Sequence, residues 1–168
     1  MTHITLYTDG SAKGNPGPGG YGVVLLHDQA RKELSQGYRL TTNNRMELMA
    51  VIAGLEALKF PCRVTVYSDS TYVVNAVEKG WLRKWSKRKW MRTLKEPVVN
   101  PDLWKRLLEL LDQHEVNFIW IRGHGNNREN VRCDALAVAA SEGEELLVDE
   151  YYEANPTNGN NVKKAVHG

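Results

Sequence analysis

The chain has 168 residues, 42% of them hydrophobic and 25% charged, which suffices for one domain with a proper core and no staples. No apolar run approaches the ~20 residues of a membrane span, and Met1-Thr2-His3-Ile4 lacks the basic and apolar regions of a signal peptide, so a cytoplasmic monomer with no membrane partner is expected. The net charge of +2 is uneven: residues 1–140 carry 20 basic and 14 acidic side chains, and residues 141–168 carry six acidic side chains against two lysines, so the body favours a polyanionic partner. The two cysteines, Cys62 and Cys133, form no Cys-x-x-Cys pattern and read as reduced thiols without a zinc role.

In chain order, Thr5-Leu6-Tyr7-Thr8-Asp9-Gly10-Ser11 reads as a β-strand that ends in a carboxylate, and Thr65-Val66-Tyr67-Ser68-Asp69-Ser70-Thr71 nearly repeats it. In each copy a Thr and a Tyr precede the Asp by four and two residues, so period-two alternation puts all three on one face. If the two strands are parallel neighbours, Asp9 and Asp69 sit side by side at their carboxyl ends, where open α/β sheets place their sites. The stretch Lys13 to Gly20 is a Gly/Pro loop, and Gly17-Pro18-Gly19-Gly20-Tyr21-Gly22 formally matches a dinucleotide glycine pattern. That pattern needs a helix to open on it, whereas Gly22 to Leu26 is β-branched and short, so a hairpin is expected. Glu33 to Leu40 supplies a third strand, completing an antiparallel meander.

Asn43 to Leu58 reads as a long helix capped by Thr42, Asn43 or Asn44. Glu47 falls on its apolar line with Val51, Gly54 and Leu58, where a carboxylate must protonate, pair (Arg45 is a candidate) or bind a metal. Thr71 to Glu78 is a short helix, and the change from meander to crossover connections favours the parallel placement of the Asp69 strand. Lys79 to Lys95 then holds eight basic residues, no acidic ones and three tryptophans. Asp102 to Gln113 is an amphipathic helix, Val116 to Ile121 a strand, Arg122 to Arg128 a glycine-bracketed loop with His124, and Asn130 to Ala140 a helix packing through Ala135, Leu136, Val138 and Ala139. Beyond Ser141 the chain shows few packing groups, and its last dozen residues are expected to be mobile.

Asp9, Glu47, Asp69 and Asp134 each have an ordinary alternative as turn former, ion-pair partner or helix-dipole group. Together they form a like-charge cluster that calls for a cation, and oxygen-only ligands suit Mg²⁺ or Mn²⁺. In the basic stretch, Lys84, Lys87, Arg88 and Lys89 can neutralise phosphates while Trp81 and Trp85 stack on sugars or bases. The competing reading makes the tryptophans a core stripe, since Trp81 and Trp85 are spaced i, i+4. A carboxylate–metal cluster beside a nucleic-acid grip implies phosphodiester hydrolysis.

Asp9-Gly10-Ser11, Gly14 to Gly22, Thr41-Thr42-Asn43-Asn44-Arg45-Met46-Glu47, Ser68-Asp69-Ser70, Gly123-His124 and Cys133-Asp134 together resemble type 1 ribonuclease H in its bacterial form with a basic protrusion. The resemblance implies a mixed α/β, ribonuclease H-like fold with a five-stranded sheet in the order 3-2-1-4-5 flanked by helices. It implies a catalytic domain over 1–141 with a protrusion at about 79–97, and leaves 142–168 as an acidic, partly mobile tail. It also implies endonucleolytic hydrolysis of the RNA strand of RNA–DNA hybrids with one or two Mg²⁺ ions, leaving 5′-phosphate and 3′-hydroxyl ends. By the same resemblance Asp9, Glu47, Asp69 and Asp134 are metal ligands, and His124 assists proton transfer or product release. Asn15 and Asn44 would meet the minor groove, Thr42 with Asn44 a DNA phosphate, and Trp81 the DNA strand. Thr71 departs from the Gln common in relatives, and Ala12 from the Cys of some. An inert hybrid-binding module and an integrase-like or exonuclease-like nuclease are the competing readings; the presence of all four acids and His124 disfavours the module.

Overall fold

A computed structural model of the chain describes residues 1–123 and 125–157. Three long strands, β1 (Thr2–Ala12), β2 (Gly17–His27) and β3 (Ala30–Thr41), form the meander. The glycine-rich run therefore enters a strand at Gly17, and no helix opens on it. The chain continues through α1 (Asn43–Glu56), β4 (Cys62–Ser68), α2 (Thr71–Glu78), α3 (Trp81–Lys87), α4 (Pro101–Gln113), β5 (Glu115–Trp120) and α5 (Arg128–Glu142). It closes with a two-residue strand, β6 (Leu146–Leu147), and α6 (Glu150–Ala154).

The sheet order is β5-β4-β1-β2-β3-β6. The expected five-strand order holds, and a sixth strand is added where Gly37 and Tyr38 pair in parallel with Leu146 and Leu147. Two residues are too few to show alternation, so β6 left no periodic signal. The repeated phrases are register partners: Thr5 lies opposite Thr65 and Tyr7 opposite Tyr67 in a parallel ladder. The tyrosine rings stack at 4.8 Å, 13° from coplanar.

The sheet carries helices on both faces. Val23, together with Leu6, meets Gly54 of α1, while the next residue back, Gly22, meets Cys133 and Ala137 of α5. Adjacent strand residues point to opposite faces, so α1 and α5 lie on opposite sides. α1 is buried through Met46, Leu48, Ala50, Val51, Ile52 and Leu55, since it lies between the sheet and α4. Its core continues through Trp104, Leu103 and Leu107 of α4. Burial of this many aliphatic groups, each worth roughly 1.5–3 kcal/mol, is what holds the layers together.

On the other face α5 packs through Cys133, Ala137 and Ser141, while the expected Ala135, Val138 and Ala139 are exposed. Helical phase explains the difference: Cys133, Ala137 and Ser141 recur every four residues and so line up on the side that faces the sheet. A Cβ at Gly22 would stand 2.2 Å from the Cys133 carbonyl oxygen, so the helix backbone rests directly on the sheet and admits only small side chains beneath it. Cys62 and Cys133 are both free and buried.

The segment after Ser141 also packs. Tyr152 is buried, and Asp149 caps α6 by accepting from Tyr152 N at 3.2 Å. The expectation of mobility for the last dozen residues concerns chain that lies, from residue 158, outside the described residues.

Candidate active site

The site lies where β1 and β4 end. Thr8 pairs with Ser68, so Asp9 and Asp69 are the next residues out from a shared register. α1 approaches the same point because Gly10 has no side chain: a Cβ there would meet the Met46 carbonyl carbon at 2.3 Å and Glu47 N at 2.5 Å. That approach lets Gly10 N donate both to Asp9 Oδ1 at 2.9 Å and to Glu47 Oε1 at 3.0 Å. One oxygen each from Asp9, Glu47 and Asp69 lies within 4.8 Å of the others.

Asp134, from the second turn of α5, lines the same cleft of about 590 Å³ without joining that trio. Arg45, the candidate partner for Glu47, turns away and pairs with Asp102 and Asp149. Glu47 Oε2 is instead buried without a hydrogen-bond partner among the described residues, a costly state for a carboxylate oxygen.

The electrostatics follow from burial and crowding. The Asp9 carboxyl stands at about 7, the net of desolvation, which raises it most, the opposing pull of hydrogen bonding, and the upward push of the charges of Asp69 and Asp134. Burial, then the charges of Asp9 and Asp69, hold Glu47 well above the usual carboxylate range. Such a cluster suits a divalent cation, whose charge reverses each of these penalties. The residues present fit hard, oxygen-liganded ions: all the donors are carboxylates, and one buried carboxylate oxygen lacks a partner.

Of the residues assigned to substrate, Thr42 caps α1, its hydroxyl accepting from Arg45 N at 3.2 Å. Asn44 lines the cleft. Asn15 stands beside them, its Oδ1 accepting from Asn43 N at 3.0 Å, and Asn43 Oδ1 accepts from Ala12 N at 2.5 Å.

The basic stretch divides. Lys84, Lys87, Arg88 and Lys89 are exposed and Trp81 is half-buried, with Lys79 Nζ over its ring at 5.5 Å. Trp85 is a correction: it is 7% exposed and meets Trp104 edge-on at 5.5 Å, so it belongs to the core and offers no platform for a base. The i, i+4 spacing thus delivers one tryptophan inward and one to the boundary. His124 lies outside the described residues.

Sequence reasoning missed Asn130, Asn43 and Asn75, which line the cleft. Asn130 is buried, and its Nδ2 has no partner among the described residues. The signal available was spacing: Asn130 and Asp134 are i, i+4 and so share one face of α5.

Comparison with known proteins agrees with this geometry. The RNase H family matches residues 1–142. The ribonuclease H of Desulforamulus reducens is 60% identical over 149 residues, covering 89% of this chain and 94% of the relative. That of Syntrophus aciditrophicus is 58% identical over 149 residues, covering 89% and 86%. Among solved structures, LC9-RNase H1, a type 1 RNase H with the type 2 active-site motif, superposes with a TM-score of 0.77 at 27% identity, covering 99% of this chain and 85% of that one. LC11-RNase H1, solved in complex with an RNA/DNA hybrid, gives 0.64 at 28% identity, covering 83% and 96%. With the motifs, the strand order and the acid cluster in agreement, this chain belongs to the ribonuclease H family as a type 1 member, and is a nuclease.

Proposed function

We propose that the chain hydrolyses the RNA strand of RNA–DNA hybrids as an endonuclease, by two-metal-ion catalysis with Mg²⁺ and with Mn²⁺ as a substitute, leaving 5′-phosphate and 3′-hydroxyl ends. The observation that carries this reading is the convergence of Asp9, Glu47 and Asp69 within 4.8 Å. The hybrid as substrate is supported by the LC11-RNase H1 complex. Divalent ions, when bound, supply an activated water and neutralise charge on the leaving oxygen.

Asp9, Glu47 and Asp69 would hold these ions, with Asp134 completing the set from α5. Thr42, Asn44 and Asn15 would orient the duplex, and Trp81 would pack on the DNA strand. Lys84, Lys87, Arg88 and Lys89 would follow its phosphates, where each neutralised phosphate releases counterions. His124 would deliver a proton to the leaving 3′-oxygen or speed product release. Contacts to 2′-hydroxyls on one strand and to deoxyribose on the other would select a hybrid by shape.

A gel assay with labelled RNA–DNA hybrid, double-stranded RNA and double-stranded DNA tests the proposal. With Mg²⁺ the wild-type chain should cut only the RNA of the hybrid, and Asp9→Asn should abolish the cut. An intact hybrid after wild-type incubation, or undiminished cleavage by Asp9→Asn, would overturn it.

A further inference from the structure

The family match ends at residue 142, yet a carboxylate beyond it stands at the root of the candidate site. Asp149 is buried. Its Oδ2 accepts from Thr41 Oγ1 at 2.8 Å and from Arg45 Nε at 2.7 Å, and its Oδ1 accepts from Arg45 Nη2 at 3.0 Å. Thr41 is the last residue of β3 and Arg45 lies in the first turn of α1. Between them lie only Thr42, Asn43 and Asn44. One carboxylate therefore grips both ends of the joint that presents Thr42 and Asn44.

The other sides of the joint are held as well. Arg45 donates to Asp102 at 2.9 and 2.7 Å and to Asn100 Oδ1 at 3.2 Å. Asn15 of the β1–β2 loop and Ala12 at the end of β1 bond Asn43. A guanidinium shared by two carboxylates is a rigid, directional fork. As a source of stability it is a poor choice, because the desolvation of three charges offsets much of the attraction. What it does supply is a defined geometry.

We propose that Asp149 is a positioning residue for hybrid binding: acting through Thr41 and Arg45, it sets the placement of Thr42 and Asn44 without touching substrate. The inference rests on the hybrid-cleaving reading given above. Glu47 lies two residues past Arg45, where Met46 and Glu47 are pressed against Gly10. The acidic trio thus has an anchor on β1 of its own beside the joint, and losing the clamp should weaken substrate affinity while sparing turnover.

The test compares full-length wild type with Asp149→Asn, Thr41→Val and Glu153→Gln. Glu153 ties the same C-terminal segment to Arg39 on β3 without bonding the joint. Hybrid affinity is read twice, as KM with Mg²⁺ and as Kd by fluorescence anisotropy in EDTA, at a temperature where circular dichroism shows each variant folded. Asp149→Asn should raise both by roughly threefold to tenfold, less than the full loss of a charge-assisted hydrogen bond, because Asp102, Asn100 and Asn15 still hold the joint. Thr41→Val should raise them less, and Glu153→Gln should leave them unchanged. For all three, kcat and the Mg²⁺ concentration for half-maximal rate should stay within about twofold of wild type. If Asp149→Asn is unfolded at the assay temperature, Thr41→Val decides the matter. Unchanged KM and Kd in the folded variants, an equal rise in Glu153→Gln, or a fall confined to kcat would overturn the proposal. A wild-type chain that neither binds nor cuts the hybrid would instead overturn the function itself.

Discussion

Replacing Asp9 by Asn should stabilise the metal-free protein at alkaline pH while destroying its activity. The Asp9 carboxyl is raised to about 7, first by burial and then by the charges of Asp69 and Asp134. An unfolded chain releases that proton near its ordinary value of about 3.9. Between these two values the fold binds a proton that the unfolded state has lost, so stability falls as pH rises and the loss is complete above about pH 7. Moving one carboxyl this far corresponds to on the order of 4 kcal/mol against the fold. Asn keeps an oxygen for the Gly10 N–H and carries no charge, so much of that penalty should be recovered. For a chain of this size a gain of a few kcal/mol shifts Tm by about 5–15 °C. Thermal melts in EDTA at pH 8 and at pH 4 are the assay: Asp9→Asn should melt well above wild type at pH 8 and close to it at pH 4. Added Mg²⁺ should narrow the gap at pH 8, because only wild type gains a strong ligand set. A variant that melts at or below wild type at pH 8, or gains equally at pH 4, would refute the reasoning.

Replacing Lys84, Lys87, Arg88 and Lys89 together by Ala should weaken hybrid binding and flatten the plot of log affinity against log salt, with each lost phosphate contact reducing the slope by roughly 0.9 or less. An unchanged slope would make the stretch a merely solvated surface. His124→Ala should lower turnover with little change in substrate affinity, and equal turnover would reject a role in proton transfer or product release. Tyr72→Phe should destabilise the protein by about 1–3 kcal/mol in denaturant titrations, because Asn100 Nδ2 and Trp104 Nε1 both donate to the Tyr72 hydroxyl and would lose their acceptor. A neutral result would show that both donors find other partners.

What the sequence disclosed and what it withheld divide along physical lines. Strand pairing was legible because the Thr-x-Tyr-x-Asp phrase is written twice, and alternation alone then decides which side chains share a face. Glu47 was legible as an anomaly, a charge on an apolar helix line. The orientation of Trp85 was not, since a tryptophan among lysines reads the same whether its ring turns inward or outward. Its burial depends on Trp104, 19 positions later, and no local pattern encodes that contact. The packing face of α5 was not legible, because a helix this rich in alanine shows no clear apolar line, and only the glycines of β2 beneath it single out Cys133, Ala137 and Ser141. Asp149 was hidden most completely. It reads as one acid in an acidic tail, and only the fold reveals that Arg45, over 100 positions earlier, is its partner.

The residue-for-residue ladder between Thr2–Thr8 and Cys62–Ser68 carries a consequence for how this site can vary. Main-chain hydrogen bonds and the stacked tyrosines, rather than the acids themselves, decide how far Asp9 stands from Asp69. A strand advances about 3.3 Å per residue and reverses face with each step. A single insertion between Tyr67 and Asp69 would therefore carry one carboxylate both out of range and to the wrong side of the sheet. The spacing of these two ligands is adjustable only in whole residues, and every step but the present one breaks the pair.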